Sequence, residues 1–307
     1  MSGGDGLSGA VVTGPVTGTV APGTLDRVRQ RLAEGVADAT TGPADDVHIE
    51  VGLPQLRRSR YQPDLLGLPD EPFAWKPAFV RRSLGIAAIR ACVAGRFRGP
   101  ADAVGPVVDG AIEDWRRSGW RTYHWEPWFA GLGSGGRAMV LAEAVTWATP
   151  LWALIDWPQL GPSAELGRPD DRWSVPGLGA VQLRGRSEAR VAVAGPDGRP
   201  GGASSLLSVS GGRPGDGWHH ELAFLALVAG LASPSRPVPA RVVGLWPESG
   251  DLRSVEIDAR ALEGAVDRVV DTVAVMIDAN PDATVGATHD DDAAVADGAG
   301  APVAAVA

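Results

Sequence analysis

The chain has 307 residues, 44% of them hydrophobic, enough for one large or two small domains with a packed core. Its single cysteine, Cys92, excludes an intramolecular disulfide and a zinc site built on several cysteines, and points to a reducing, cytoplasmic setting. The net charge of −9 argues against bulk attraction to nucleic acid, and no apolar run reaches the roughly 20 residues of a membrane span.

Residues 1–45 read as a largely disordered Gly/Thr/Val/Pro segment. Residues 1–10 are Gly/Ser-rich and lack the basic and apolar regions of a signal peptide, so none is expected. One helix is expected within them, over residues 24–39, where Leu25, Val28, Leu32 and Val36 recur at helical spacing and Thr24 is placed to cap. Residues 46–136 read as an irregular and helical platform. It starts with a strand over 47–52 and a proline-rich irregular segment over 55–77. Helices are expected over 78–95 and 100–119, the second strained by Pro106, and an aromatic loop over 120–136.

Residues 137–157 form the most apolar helical pattern, expected to be central and buried, with a bend at Pro150. A loop over 160–176 follows. Alternation predicts strands over 179–186 and 187–194, or one long bent strand across both, and a short strand over 205–210, with a turn over 196–202. A helix over 217–231, strands over 241–246 and 252–257, and an amphipathic helix over 259–276 complete the pattern. The core is placed at residues 137–278. Residues 279–307 read as a disordered acidic tail carrying Asp290, Asp291 and Asp292.

The basic residues are unevenly distributed. Nine basic residues face four acidic ones over residues 76–121, against three and twelve over 248–292. Arg81, Arg82 and Arg90 on one predicted helix could meet a phosphate backbone, or form an ordinary solvated face. Seven of the eleven tryptophans lie between Trp115 and Trp157. Most fit a packed platform, but Trp125 and Trp128, beside Arg121 and His124, are candidates to stack on exposed bases.

The element order around residues 183–224 carries local motifs. Gly185-Arg186-Ser187-Glu188 ends one strand. Leu206-Leu207-Ser208-Val209-Ser210 runs into Gly211-Gly212-Arg213-Pro214, and a helix follows with His220 and Phe224 four residues apart. This pattern resembles the PD-(D/E)XK nuclease superfamily, most closely its RecB-type branch, over roughly residues 137–276. The resemblance implies an α/β fold: a three-layer restriction-endonuclease-like core, a mixed central sheet flanked by helices, with an N-terminal helical subdomain.

Nucleases of this kind hydrolyse a phosphodiester with Mg²⁺ held by acidic side chains. By the resemblance, Glu188 stands at the G-R-x-D acid, Ser208 at the second acid, Ser210 at the lysine and His220 at the glutamine of Q-x-x-x-Y. Glu143 stands where relatives place a helix-borne metal ligand, or is a core carboxylate satisfied by an arginine. Glu188 has its own ordinary reading, as a strand residue paired with Arg186 or Arg190.

Two serines in place of an acid and a lysine remove an anionic metal ligand and the catalytic cation. The expectation is a remnant site of Glu143, Glu188, Ser208, Ser210 and His220 that requires no cofactor, with DNA, a helicase or a repair protein as partner. An active nuclease, with Mg²⁺ at Glu143 and Glu188, and a structural protein unrelated to nucleic acid stay open as alternatives.

Overall fold

The computed structural model describes residues 11–12, 14–16, 20–40, 49–66, 75–118, 125–157, 164–166, 171–175, 181–194, 200–233 and 235–279. The predicted turn at 196–202 lies largely, and the acidic tail almost entirely, outside them.

The described chain is mixed α/β. Its helices are α1 (Thr24–Ala39), α2 (Leu53–Tyr61), α3 (Pro77–Val93), α4 (Pro100–Ser118), α5 (Trp125–Gly131), α6 (Ser134–Leu154), α7 (Trp218–Ala232) and α8 (Ala259–Asp278). Its strands are β1 (Ile49–Val51), β2 (Ala164–Leu166), β3 (Asp171–Ser174), β4 (Val181–Gly185), β5 (Ala189–Ala194), β6 (Pro200–Val209), β7 (Arg241–Trp246) and β8 (Asp251–Glu256). Two compact units divide the chain: residues 1–70 with 150–287, and residues 71–149 with the C-terminal tail. The division falls inside α6 at Thr149/Pro150, and so differs from the segment boundaries expected near residues 45 and 136.

The first unit contains two sheets. One has the order β1-β4-β3, with β1 parallel and β3 antiparallel to β4. The other has the order β2-β5-β6-β7-β8. Within it β5 and β6 form an antiparallel pair, and β7 returns parallel to β6 after α7, as a β-α-β crossover requires. The backbone of β6 explains its neighbours. Leu207 accepts from Glu188 N on the β5 side, whereas Ser210 N donates to Leu245 O on the β7 side. Side chains alternate accordingly, and Leu206 joins the core beneath α7.

Helix α7 sits at the centre of this core. Its residues from Leu222 to Leu231 are all buried, so it is apolar on every side. It packs on β3 and β4 of one sheet and on β7 and β8 of the other. Gly185, at the end of β4, makes that approach possible: a Cβ there would lie 3.1 Å from Val228 Cβ. Each fully buried Leu or Phe of α7 is worth roughly 1.5–3 kcal/mol of apolar transfer.

The helix expected to be central, α6, is buried less completely. Met139, Ala142, Thr146, Thr149 and Ala153 are exposed along one stripe. Small residues lower the apolar area that α6 offers, and its uniform apolarity concealed a solvent face.

Helices α1 and α8 lie against each other and α8 against α7. Val28, Leu32 and Val36 of α1 belong to the same core as Leu262, Val266, Val269 and Val273 of α8. The amphipathic spacing located both helices, and α1 begins and ends where its pattern predicts. Its N-cap is Gly23 rather than Thr24, which is buried in the first turn.

A further departure concerns the segment read as disordered. Val12 and Val16 are buried, Ser205 Oγ donates to Val12 O at 3.0 Å, and Arg241 donates to the carbonyls of Val11, Gly14 and Pro15. Carbonyls of this glycine- and proline-broken stretch are taken up by side chains on β6 and β7. Helix α2 and strands β2 and β3 also arise in stretches read as irregular, and α5 inside the expected aromatic loop.

Candidate functional site

Strand β5 begins at Ala189, and the chain reaches it from the end of β4 through Gly185-Arg186-Ser187-Glu188. Beyond Ala189, β6 continues for two more residues without a β5 partner. The backbone N–H of Val209, itself buried, therefore lacks a ladder acceptor on that side. Glu188 supplies it: its Oε2 accepts from Val209 N at 2.7 Å, while Glu188 N donates to Leu207 O at 2.8 Å. The carboxylate is 5% exposed and completes the sheet edge in place of a missing strand residue.

Ser208 is buried at 3% exposure on the same face of β6 as Leu206 and Ser210. Ser210 Oγ accepts from Arg57 Nη2 at 3.0 Å. Arg57 comes from α2, and its Nε and Nη2 both donate to Glu221 Oε2 of α7, at 3.0 and 2.7 Å. The place of the expected lysine is thus taken by a hydroxyl, and a guanidinium already paired to a carboxylate stands beside it.

The end of α2 and the start of α7 form a second feature. A recess is lined by Leu56, Arg60, Tyr61, Gly217, His220, Glu221 and Arg268. Arg268 of α8 is held in place by its Nη2, which donates to Leu56 O at 3.2 Å and Ser59 Oγ at 3.1 Å. Ser59 Oγ also meets Thr272 Oγ1 at 3.0 Å, so α2 is tied to α8 here. Arg60 lies over Gly217, where a Cβ would stand 2.5 Å from its Nη1. His219 and His220 have ring centroids 4.0 Å apart. Partial burial, and then the charges of His219, Arg60 and Arg268, push the His220 pKa below its ordinary value.

The expected remnant residues are only partly assembled. Glu188, Ser208 and Ser210 lie at the β5–β6 edge, and His220 lines the recess on α7. Glu143 is half-buried on α6 in the other unit. The donor set does not suit Mg²⁺, which needs several oxygen ligands including carboxylates. Glu188 spends one oxygen on a backbone donor, Ser208 is neutral, and among the described residues no group of three His, Cys, Asp or Glu is placed to hold a metal.

Of the expected nucleic-acid contacts, Arg81, Arg82 and Arg90 on α3 are half-buried, and each interacts with other parts of the protein. Trp125 is 8% exposed and packs edge-to-face on Phe129 with centroids 5.8 Å apart, so its ring is committed to the protein. Trp128 is half-buried on the same short helix.

Arg57, Arg60, Glu221 and Arg268 were not among the sequence candidates. A signal for α2 exists: Pro54 suits a first helical turn, and Gln55 Oε1 accepts from Gly52 N at 3.1 Å across it. Its arginines carry no motif, and only the packing of α2 between α7 and α8 gives them meaning.

No described helix is long and apolar enough to cross a membrane. No family model, no curated protein and no solved structure matches this chain.

Proposed function

We propose that this chain is a catalytically degenerate nuclease-like protein on a restriction-endonuclease-like core, acting as a DNA-binding module in repair or recombination. The observation that carries this reading is the state of the β6 edge. At the acid and lysine positions stand Ser208 and Ser210, and the nearby Arg57 is neutralised by Glu221 at 2.7 Å. A hydroxyl supplies neither the anionic charge that holds a hard cation nor the positive charge that stabilises a phosphorane-like transition state. Glu188, the acid that remains, serves the sheet through Val209. The run β5, β6, α7, β7, with its parallel return, supports the core assignment.

The test uses the full chain and a DNA duplex with a single-stranded overhang, with Mg²⁺ and then Mn²⁺. Expected are salt-dependent binding by fluorescence anisotropy and no cleavage. Cleavage that disappears in Glu188→Gln would overturn the degenerate reading, because that variant keeps an oxygen acceptor for Val209 and removes only the charge. Absence of DNA binding at every salt concentration removes DNA as the target. Co-purification from the native host then asks for a helicase or repair protein.

A further inference from the structure

The recess beside α7 has a composition that the proposed nuclease-like reading does not explain. Its lining cations come from two different helices, Arg60 from α2 and Arg268 from α8, and His220 stands on α7 between them. One carboxylate is present, Glu221, and Arg57 already holds it through two hydrogen bonds to Oε2. Arg60 makes no ion pair with any other described residue, and Arg268 uses only Nη2, leaving Nε and Nη1 without a hydrogen bond to any other described residue. Like charges are therefore gathered around a small opening without a matching internal anion. Such a gathering is unfavourable by itself and becomes favourable when an anion enters.

The local structure favours this arrangement. Gly217 leaves the space that Arg60 occupies, since a Cβ would stand 2.5 Å from Nη1. Ser59 and the Leu56 carbonyl fix Arg268, so one of the two guanidinium groups is oriented before any ligand arrives. Tyr61, 51% exposed, presents a phenol at the rim. The opening also lies at the amino end of α7, whose dipole has the same sign as the side chains.

We propose that Arg60, Arg268 and His220 form a binding site for a single phosphate group. Planar guanidinium groups match phosphate oxygens in pairs, and a histidine adds a third donor when protonated. The phosphate belongs either to a free inorganic ion or small phosphate ester, or to a nucleic-acid backbone. The chemistry is shared, and the site stands independently of the nuclease-like reading.

The experiment titrates the full chain with inorganic phosphate and follows the His220 ring resonance, assigned with His220→Gln. Expected are a saturable shift, a rise in the apparent His220 pKa with phosphate, and affinity about tenfold weaker in Arg60→Gln. Arg60 is exposed, its guanidinium lies over the Tyr61 ring at 5.3 Å, and it forms no ion pair with another described residue, so this variant is expected to fold as the parent does. Arg253→Gln, an exposed arginine on β8, is expected to bind as the parent does. Absence of a saturable shift, or equal affinity in Arg60→Gln, overturns the proposal. A short DNA oligonucleotide that displaces phosphate from His220 identifies the backbone as the source. Phosphate binding that the oligonucleotide does not disturb identifies the free ion, and the site stands even where DNA binding by anisotropy fails.

Discussion

Two clusters of polar side chains lie in the first unit, and they treat charge in opposite ways. At the β5–β6 edge, Glu188 is buried and its oxygen completes the hydrogen bonding of Val209. At the recess, Arg60 is exposed and forms no ion pair with another described residue, while half-buried His220 is held below its ordinary pKa by burial and by His219, Arg60 and Arg268. The contrast separates polar groups that hold a fold from those available to a ligand. A buried carboxylate bonded to backbone is expensive to disturb and has little left to give a metal. A partly exposed cation costs the fold little and can still bind.

The strongest way to break this contrast is to add a second carboxylate to the edge. Ser208→Asp places a carboxylate at a position 3% exposed. The expected loss is about 3 kcal/mol or more of stability, read from chemical denaturation. A variant that instead keeps its stability and gains Mg²⁺ affinity would mean that the edge can hold a metal.

A smaller effect comes from Glu188. Glu188→Ala strands the Val209 N–H and is expected to cost about 2 kcal/mol, while Glu188→Gln, which keeps an acceptor, costs clearly less. Equal losses in the two variants would show that the carboxylate charge, rather than the hydrogen bond, matters at the edge.

The smallest effect sharpens the recess side. The His220 pKa is lowered in the folded chain. Between its folded and unfolded values the unfolded chain binds more protons, so stability rises with pH across that window. The contribution is complete above the ordinary histidine value of about 6.5 and is lost as pH falls through the lower folded value. Thermal melts across acidic pH should show this dependence and a flatter profile for His220→Gln. Phosphate should also flatten it, because an anion beside His220 returns the folded pKa toward the unfolded one.

Much of the fold was legible in the sequence. The amphipathic spacing of α1 and α8, the alternation in β5, and the apolar run of β7 placed those elements within a few residues of where they stand. Their signals are local, since periodicity reports which face is buried. Strand β1 stands inside the strand expected over 47–52, but β2 and β3, of three and four residues, arise where a loop over 160–176 was expected, because such lengths carry almost no pattern of their own. The exposure of α6 was likewise hidden, because an alanine- and threonine-rich helix looks equally apolar whether its faces are covered or open.

The site divides along the same line. The resemblance drawn from Gly185-Arg186 and Gly211-Gly212-Arg213-Pro214, with Ser208 and Ser210 at its expected acid and lysine positions, could be read from the sequence because all of these lie within one short stretch of chain. The work of Glu188 depends on where β5 begins beside β6, and the recess on α2 meeting α7 and α8 across more than 150 residues, as the Arg57–Glu221 bond over 164 positions shows. By itself the sequence determined the helical and strand faces and set two neutral hydroxyls, Ser208 and Ser210, at the end of β6. Tertiary structure alone decided which charges are neutralised, because ion pairing depends on distance in space and not along the chain.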